Sequence, residues 1–188
     1  MDMQATRSLP VTQTQAWAAL NNAEVLKSCI PGCDKFELSG DNEYLVGVAI
    51  KIGPVAAKFS GTVQLKDIVA PTSYALQFDA QGGMAGFGKG ECQVLLTPTA
   101  TGCDLQYTVH SKVGGKLAQL GQRLIDGAAK SLTEDFFTRF EAALTQQFST
   151  EPMAEAAPVS VKTVKSAWPL WAGGAAVIAL TLGLYWLH

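Results

Sequence analysis

The chain has 188 residues, 14 Lys and Arg against 16 Asp and Glu, and a formal net charge of -2, which suits one domain plus a tail and supplies no excess of positive charge. Nucleic-acid binding depends on clustered Lys and Arg that release counterions, so that class is excluded. Four cysteines, Cys29, Cys33, Cys92 and Cys103, raise the question of disulfides. The opening residues Met1, Asp2, Met3 and Gln4 lack both the basic start and the apolar run of a secretion signal, so a reducing compartment is expected.

The first helix signal is a capping box: Thr12 can accept from a first-turn amide while Gln15 reaches back to the cap. Trp17 and Leu20 follow on one face. Asn21, Asn22, Ala23 and Glu24 offer a second cap for a short helix through Val25 and Leu26, ended by Pro31 and Gly32. The period then changes to two. Phe59, Val63 and Leu65 alternate with Lys58, Ser60, Thr62, Gln64 and Lys66, and the same pattern runs through Tyr74, Leu76 and Phe78, through Cys92, Val94 and Leu96, and through Leu105, Tyr107 and Val109. Turn residues stand at 40–42, 71–72, 82–83 and 101–102, so these segments read as an antiparallel meander with one dry face. From Lys116 to Phe148, Leu117, Leu120, Leu124, Ala128, Leu132, Phe136, Phe140 and Leu144 recur at three and four, which predicts one long amphipathic helix over that face. Gly121 and Gly127 within it each cost roughly 1 kcal/mol against alanine, which suggests a close neighbour or room for a ligand. The expected fold class is α+β.

Residues 149–167 mix small, polar and proline residues without period and read as a flexible linker after a domain of residues 1–148. Residues 168–187, WPLWAGGAAVIALTLGLYWL, carry no charge, and at about 1.5 Å per residue they match the roughly 30 Å of bilayer hydrocarbon. Trp168 and Trp171 at one end, and Tyr185 and Trp186 at the other, sit where amphipathic rings favour the headgroup level. Residues 168–188 are therefore expected to form a single transmembrane anchor. Lys162 and Lys165 before it predict that the domain faces the cytoplasm from the inner membrane.

Catalytic and metal signals are weak. Cys29 and Cys33 are spaced C-x3-C without a second ligand pair, and Cys92 and Cys103 occupy apolar strand positions, so packing is expected and no metal site. The glycine run 82–90 leads into a strand, and residues 114–116 lack the Ser or Thr of a phosphate loop, so no nucleotide site is expected; the latter run is read as the start of the long helix. His110 has no Ser, Cys or Asp partner that spacing can place beside it, and Asp126, Glu134 and Asp135 decorate the wet face of the helix. No catalytic residue is assigned.

The order of these elements resembles the helix-grip fold of the START and birch-pollen-allergen (SRPBCC) superfamily. Four runs, LNNAEVL at 20–26, CIPGC at 29–33, VAAKFSG at 55–61 and GGKLAQLG at 114–121, resemble the family of the carbon monoxide dehydrogenase G subunit (CoxG) over almost the whole soluble part. The resemblance implies a curved sheet wrapped around a long C-terminal helix, a pocket between them, and a carbon monoxide dehydrogenase-type molybdenum hydroxylase as partner at the membrane. A respiratory quinone, held non-covalently, is the ligand that such a redox partner suggests; no residue identifies it. Phe59, Leu76, Phe78, Tyr107, Leu117, Leu120, Gly121 and Leu124 are the expected ligand-binding residues. The alternatives are a recruitment or assembly factor with a filled core, and a cyclase or hydrolase, which would need polar groups in the cavity.

Overall fold

A computed structural model describes residues 2–148. In chain order it contains β1 (Asp2–Leu9), α1 (Gln13–Leu20), α2 (Ala23–Cys29), β2 (Cys33–Gly40), β3 (Glu43–Ile52), β4 (Val55–Val69), β5 (Ser73–Gln81), β6 (Phe87–Thr99), β7 (Gly102–Gly114) and α3 (Gln122–Phe148). Short 3-10 turns, Gly83–Ala85 and Ala118–Leu120, precede β6 and α3. The expected linker and membrane anchor lie outside the described residues. Among the described residues no helix is long and apolar enough to cross a membrane.

All strand pairs are antiparallel in one sheet of order β1-β7-β6-β5-β4-β3-β2. Strands β2 to β7 form the expected meander. The first strand instead closes onto the last, from Asp2 opposite His110 to Leu9 opposite Cys103. The chain must then travel from one edge of the sheet to the other before β2 can start, and α1 and α2 make that crossing. Their starts follow local chemistry. The Thr12 hydroxyl accepts from the Gln15 amide at 3.3 Å while the Gln15 side-chain oxygen accepts from the Thr12 amide at 3.0 Å. The Asn22 side-chain oxygen accepts from the Glu24 and Val25 amides at 3.0 and 3.3 Å.

The alternating apolar residues of β4 to β7 turn to the concave face, as their period requires. At Gly90 an added Cβ would stand 2.8 Å from the Ser111 Cα and 3.0 Å from the Phe78 ring, so neighbouring backbones approach there as no larger residue allows. Two apolar clusters result. The larger joins Leu9, Ala16, Leu20, Leu96 and Leu105 to Phe140 and Leu144 of the C-terminal half of α3; the smaller joins Ile52, Phe59, Ala85 and Leu117 at the opposite end.

The long helix corrects the sequence reading. Residues 114–121 do not begin it: Gly115 and Gly121 have φ of +77° and +85°, which breaks the backbone, and α3 starts at Gln122. Ala128, Leu132, Phe136, Phe140 and Leu144 of the expected repeat face inwards. Ile125, Phe137, Phe140 and Leu144 are buried, while Leu124, expected inside, is 51% exposed. An added Cβ at Gly121 or Gly127 meets nothing within 4 Å and both residues are exposed, so neither glycine marks a close neighbour or a ligand contact.

Candidate ligand cavity

Between the concave face and α3 the two clusters leave unfilled space in two chambers. One, of about 450 Å³, lies under the first half of α3 and is walled by Val46, Val48, Ile50, Phe59, Ile125 and Leu132, among others. The other, of about 330 Å³, lies towards α2 and is walled by Tyr44, Leu76, Cys92, Tyr107, Phe136 and Phe137, among others. Val63, Phe78, Val109 and Thr133 belong to both walls, so the chambers meet at a waist where three strands face one turn of α3.

The strand period explains the apolar lining, because every second residue of β3, β4, β5 and β7 points inwards at this level. The few polar groups are largely committed. Thr133 donates its hydroxyl proton to the Ala129 carbonyl at 2.8 Å. Arg7 of β1 pairs with Glu134 of α3 and lies 5.2 Å from the Phe137 ring centroid, which ties the sheet edge to the helix beside the second chamber. Burial raises the Tyr107 and Tyr74 phenols above their ordinary range and pushes the Cys92 thiol up to about 11. These groups are neutral at pH 7. Lys112 is the one charged side chain among the lining residues of the two chambers. Such a space suits an elongated apolar molecule with few hydrogen-bonding groups.

Five of the expected ligand residues line this space: Phe59 and Leu117 the first chamber, Leu76 and Tyr107 the second, Phe78 both. The other three do not. Leu120 packs beside the smaller cluster and Gly121 is an exposed turn residue, because the helix begins only at Gln122; Leu124 points away, because a repeat of four drifts about 40° per step around the helix. Val46, Val48 and Ile50 were missed, although Tyr44, Val46, Val48, Ile50 and Ile52 alternate in the sequence. Ile125, Ala129, Thr133 and Phe137 were missed because the inward face of α3 is wider than the single apolar repeat.

The remaining candidates lie elsewhere. All four cysteines are free; Cys29 and Cys103 are buried in the larger cluster, and the Cys33 thiol donates to the Lys35 carbonyl at 3.3 Å. Among the described residues no group of three His, Cys, Asp or Glu comes together as metal ligands. His110 does have an acidic partner, Asp2, at 2.8 Å, which the β1–β7 register brings across 108 residues. The hydrogen bond to His110 holds the Asp2 carboxyl below its usual range. The pair is exposed on the outer face, where alternation carries it away from both chambers.

With the geometry established, relatives can be compared. The family profile described as the G subunit of carbon monoxide dehydrogenase (CoxG) matches residues 7–145. A conserved protein from Geobacillus kaustophilus is similar at 33% identity and a TM-score of 0.74, over 78% of this chain and 97% of its own. TTHA0849 from Thermus thermophilus (12% identity, TM-score 0.61, 79% and 99% covered) and Ara h 8.0201 (14%, 0.55, 78% and 98%) share the fold. No curated protein matches the chain.

Proposed function

Since the chain belongs to the CoxG family of carbon monoxide dehydrogenase, we propose that it is a membrane-anchored accessory protein that carries a hydrophobic membrane ligand, a respiratory quinone, to a carbon monoxide dehydrogenase-type molybdenum hydroxylase. The observation that carries this reading is the two-chambered space between sheet and helix, whose lining includes a single charged side chain. A quinone has this chemistry: a flat head with two carbonyl acceptors on a long apolar chain. The waist at Phe78 divides the space into a chamber with tyrosines and one dominated by aliphatic walls, which accommodates a molecule with two unlike ends.

The partner enters through the family's description, and the anchor through residues 168–187 of the sequence. In this reading the domain faces the cytoplasm from the inner membrane, and tethering raises the rate of encounter with both ligand and enzyme. An enzymatic role fits the cavity less well, because the lining offers no acid and base pair for proton transfer.

Native mass spectrometry of the full chain, extracted from its own membranes, tests the carrier reading. The expected result is a stoichiometric adduct with the mass of an isoprenoid quinone, together with co-purification of a molybdenum hydroxylase. Co-purification without any lipophile would leave the purely structural recruitment role as the function.

A further inference from the structure

The strand ends divide the charged residues unevenly. At one end of the sheet lie the β3–β4 turn, the 3-10 turn Gly83–Ala85 and the segment 114–121. The residues nearest this end, 48–58, 80–90 and 110–125, contain no Asp or Glu and carry Lys51, Lys58, Lys89, Lys112, Lys116 and Arg123, all exposed; Asp79 stands opposite Lys89, Asp34 pairs with Lys58, and Asp126 follows in α3, so the end keeps an excess of positive charge. Glu37, Asp41, Glu43, Asp67 and Asp104 stand at or near the turns of the opposite end. The basic end also has apolar tips. Met84 is 81% exposed and Leu124 51% exposed, and the Leu117 amide donating to the Ala85 carbonyl at 3.0 Å holds the Met84 turn against the segment before α3. Directly behind these tips, Ile52, Leu117 and Ile125 wall the larger chamber.

We propose that this basic, apolar-tipped end docks on an anionic lipid surface, with Met84 and Leu124 entering the headgroup layer and the cations over the lipid phosphates. Exposed apolar residues ringed by Lys and Arg are the chemistry that binds such an interface, through apolar burial and attraction to negative headgroups together. The docked pose turns the larger chamber towards the bilayer, so an apolar ligand passes between lipid and chamber without crossing bulk water. This use of the pose rests on the carrier reading; the pose itself does not. The connection to residue 168 permits it. The 27-residue α3 runs from the basic end to the other end, about 40 Å. Residues 149–167 can reach roughly 65 Å when extended, so an anchor in the bilayer does not hold the basic end away from it.

Photo-crosslinking of the full chain reads the pose. A photoreactive residue, p-benzoylphenylalanine, replaces Met84 in one preparation and Leu38 in another; Leu38 is 65% exposed and lies near the acidic β2–β3 turn. Both are reconstituted into phosphatidylcholine vesicles with and without phosphatidylglycerol. The expected result is lipid adduct at position 84 several-fold above position 38, only on anionic vesicles. An anionic surface favours each nearby Lys or Arg roughly fivefold, so the combined Lys51→Gln, Lys116→Gln and Arg123→Gln variant should lower adduct at position 84 to the level at position 38. Raising salt on the unsubstituted cations gives the same loss without any change of sequence. Equal adduct at the two positions, indifference to lipid charge, or adduct to a second protein chain in place of lipid would overturn the docking. Mass analysis of extracts from the same samples keeps the two proposals apart: lipophile present with equal labelling sinks only the pose, and labelling at position 84 with no lipophile sinks only the carrier.

Discussion

Replacing Ala129 with Phe separates a cavity from a solid core. Ala129 faces the larger chamber from α3, where about 450 Å³ stands open. Phe in place of Ala costs about 0.5 kcal/mol of helix propensity. If the space is open, the ring gains about 1.5–3 kcal/mol on burial, leaving a net stabilisation of about 1–2.5 kcal/mol. In a filled core the same ring would overpack and cost about 1–3 kcal/mol. At roughly 2–4 °C per kcal/mol, delipidated Ala129→Phe should melt about 2–10 °C above the delipidated wild type. It should also lose the extracted lipophile. Phe140→Ala is the control, because Phe140 is 0% exposed in the packed half of the grip and its truncation should cost about 3–5 kcal/mol. The assay pairs differential scanning calorimetry with organic extraction and mass analysis. A drop in the Ala129→Phe melt with lipophile unchanged would refute the cavity.

Leu124→Gln should leave the melt unchanged within about 0.5 kcal/mol, because the side chain points to solvent; denaturant unfolding checks it. Thr12→Ala removes the cap of α1 and should destabilise the domain by about 0.5–2 kcal/mol, read as a lower urea midpoint with an unchanged slope. Cys92, with its thiol at about 11, should be alkylated slowly at pH 8 and faster by nearly tenfold per pH unit up to that value, followed by peptide mass mapping. The folded state keeps this proton above the ordinary thiol range while the unfolded state releases it. Cys92 therefore lowers stability as pH rises from about 9 to about 11, and Cys92→Ala should flatten that part of the pH–melt profile.

What the sequence alone determined about this protein is whatever depends on near neighbours. The caps at Thr12 and Asn22 need only residues two or three positions on, and the alternation through Phe59, Leu76, Phe78 and Tyr107 needs only the pleat of a strand, so the helix starts and the inward strand faces were readable. The tertiary structure decided the rest. The apolar repeat runs on through residues 114–121 as if helical, yet the positive φ of Gly121 delays α3 to Gln122; within α3 the docking of Phe137, Phe140 and Leu144 on the sheet fixes the inward face, and the drift of a four-residue repeat leaves Leu124 outside it and Ile125 inside. Asp2 meets His110 only because β1 pairs with β7 across the length of the domain. Above all, hydrophobicity marks Phe78 and Phe140 alike as inward residues, but it does not distinguish packed space from open space. That difference is set by how the side chains of sheet and helix pack together: near Leu144 they fill the gap, while at the level of Ala129 about 450 Å³ remains open.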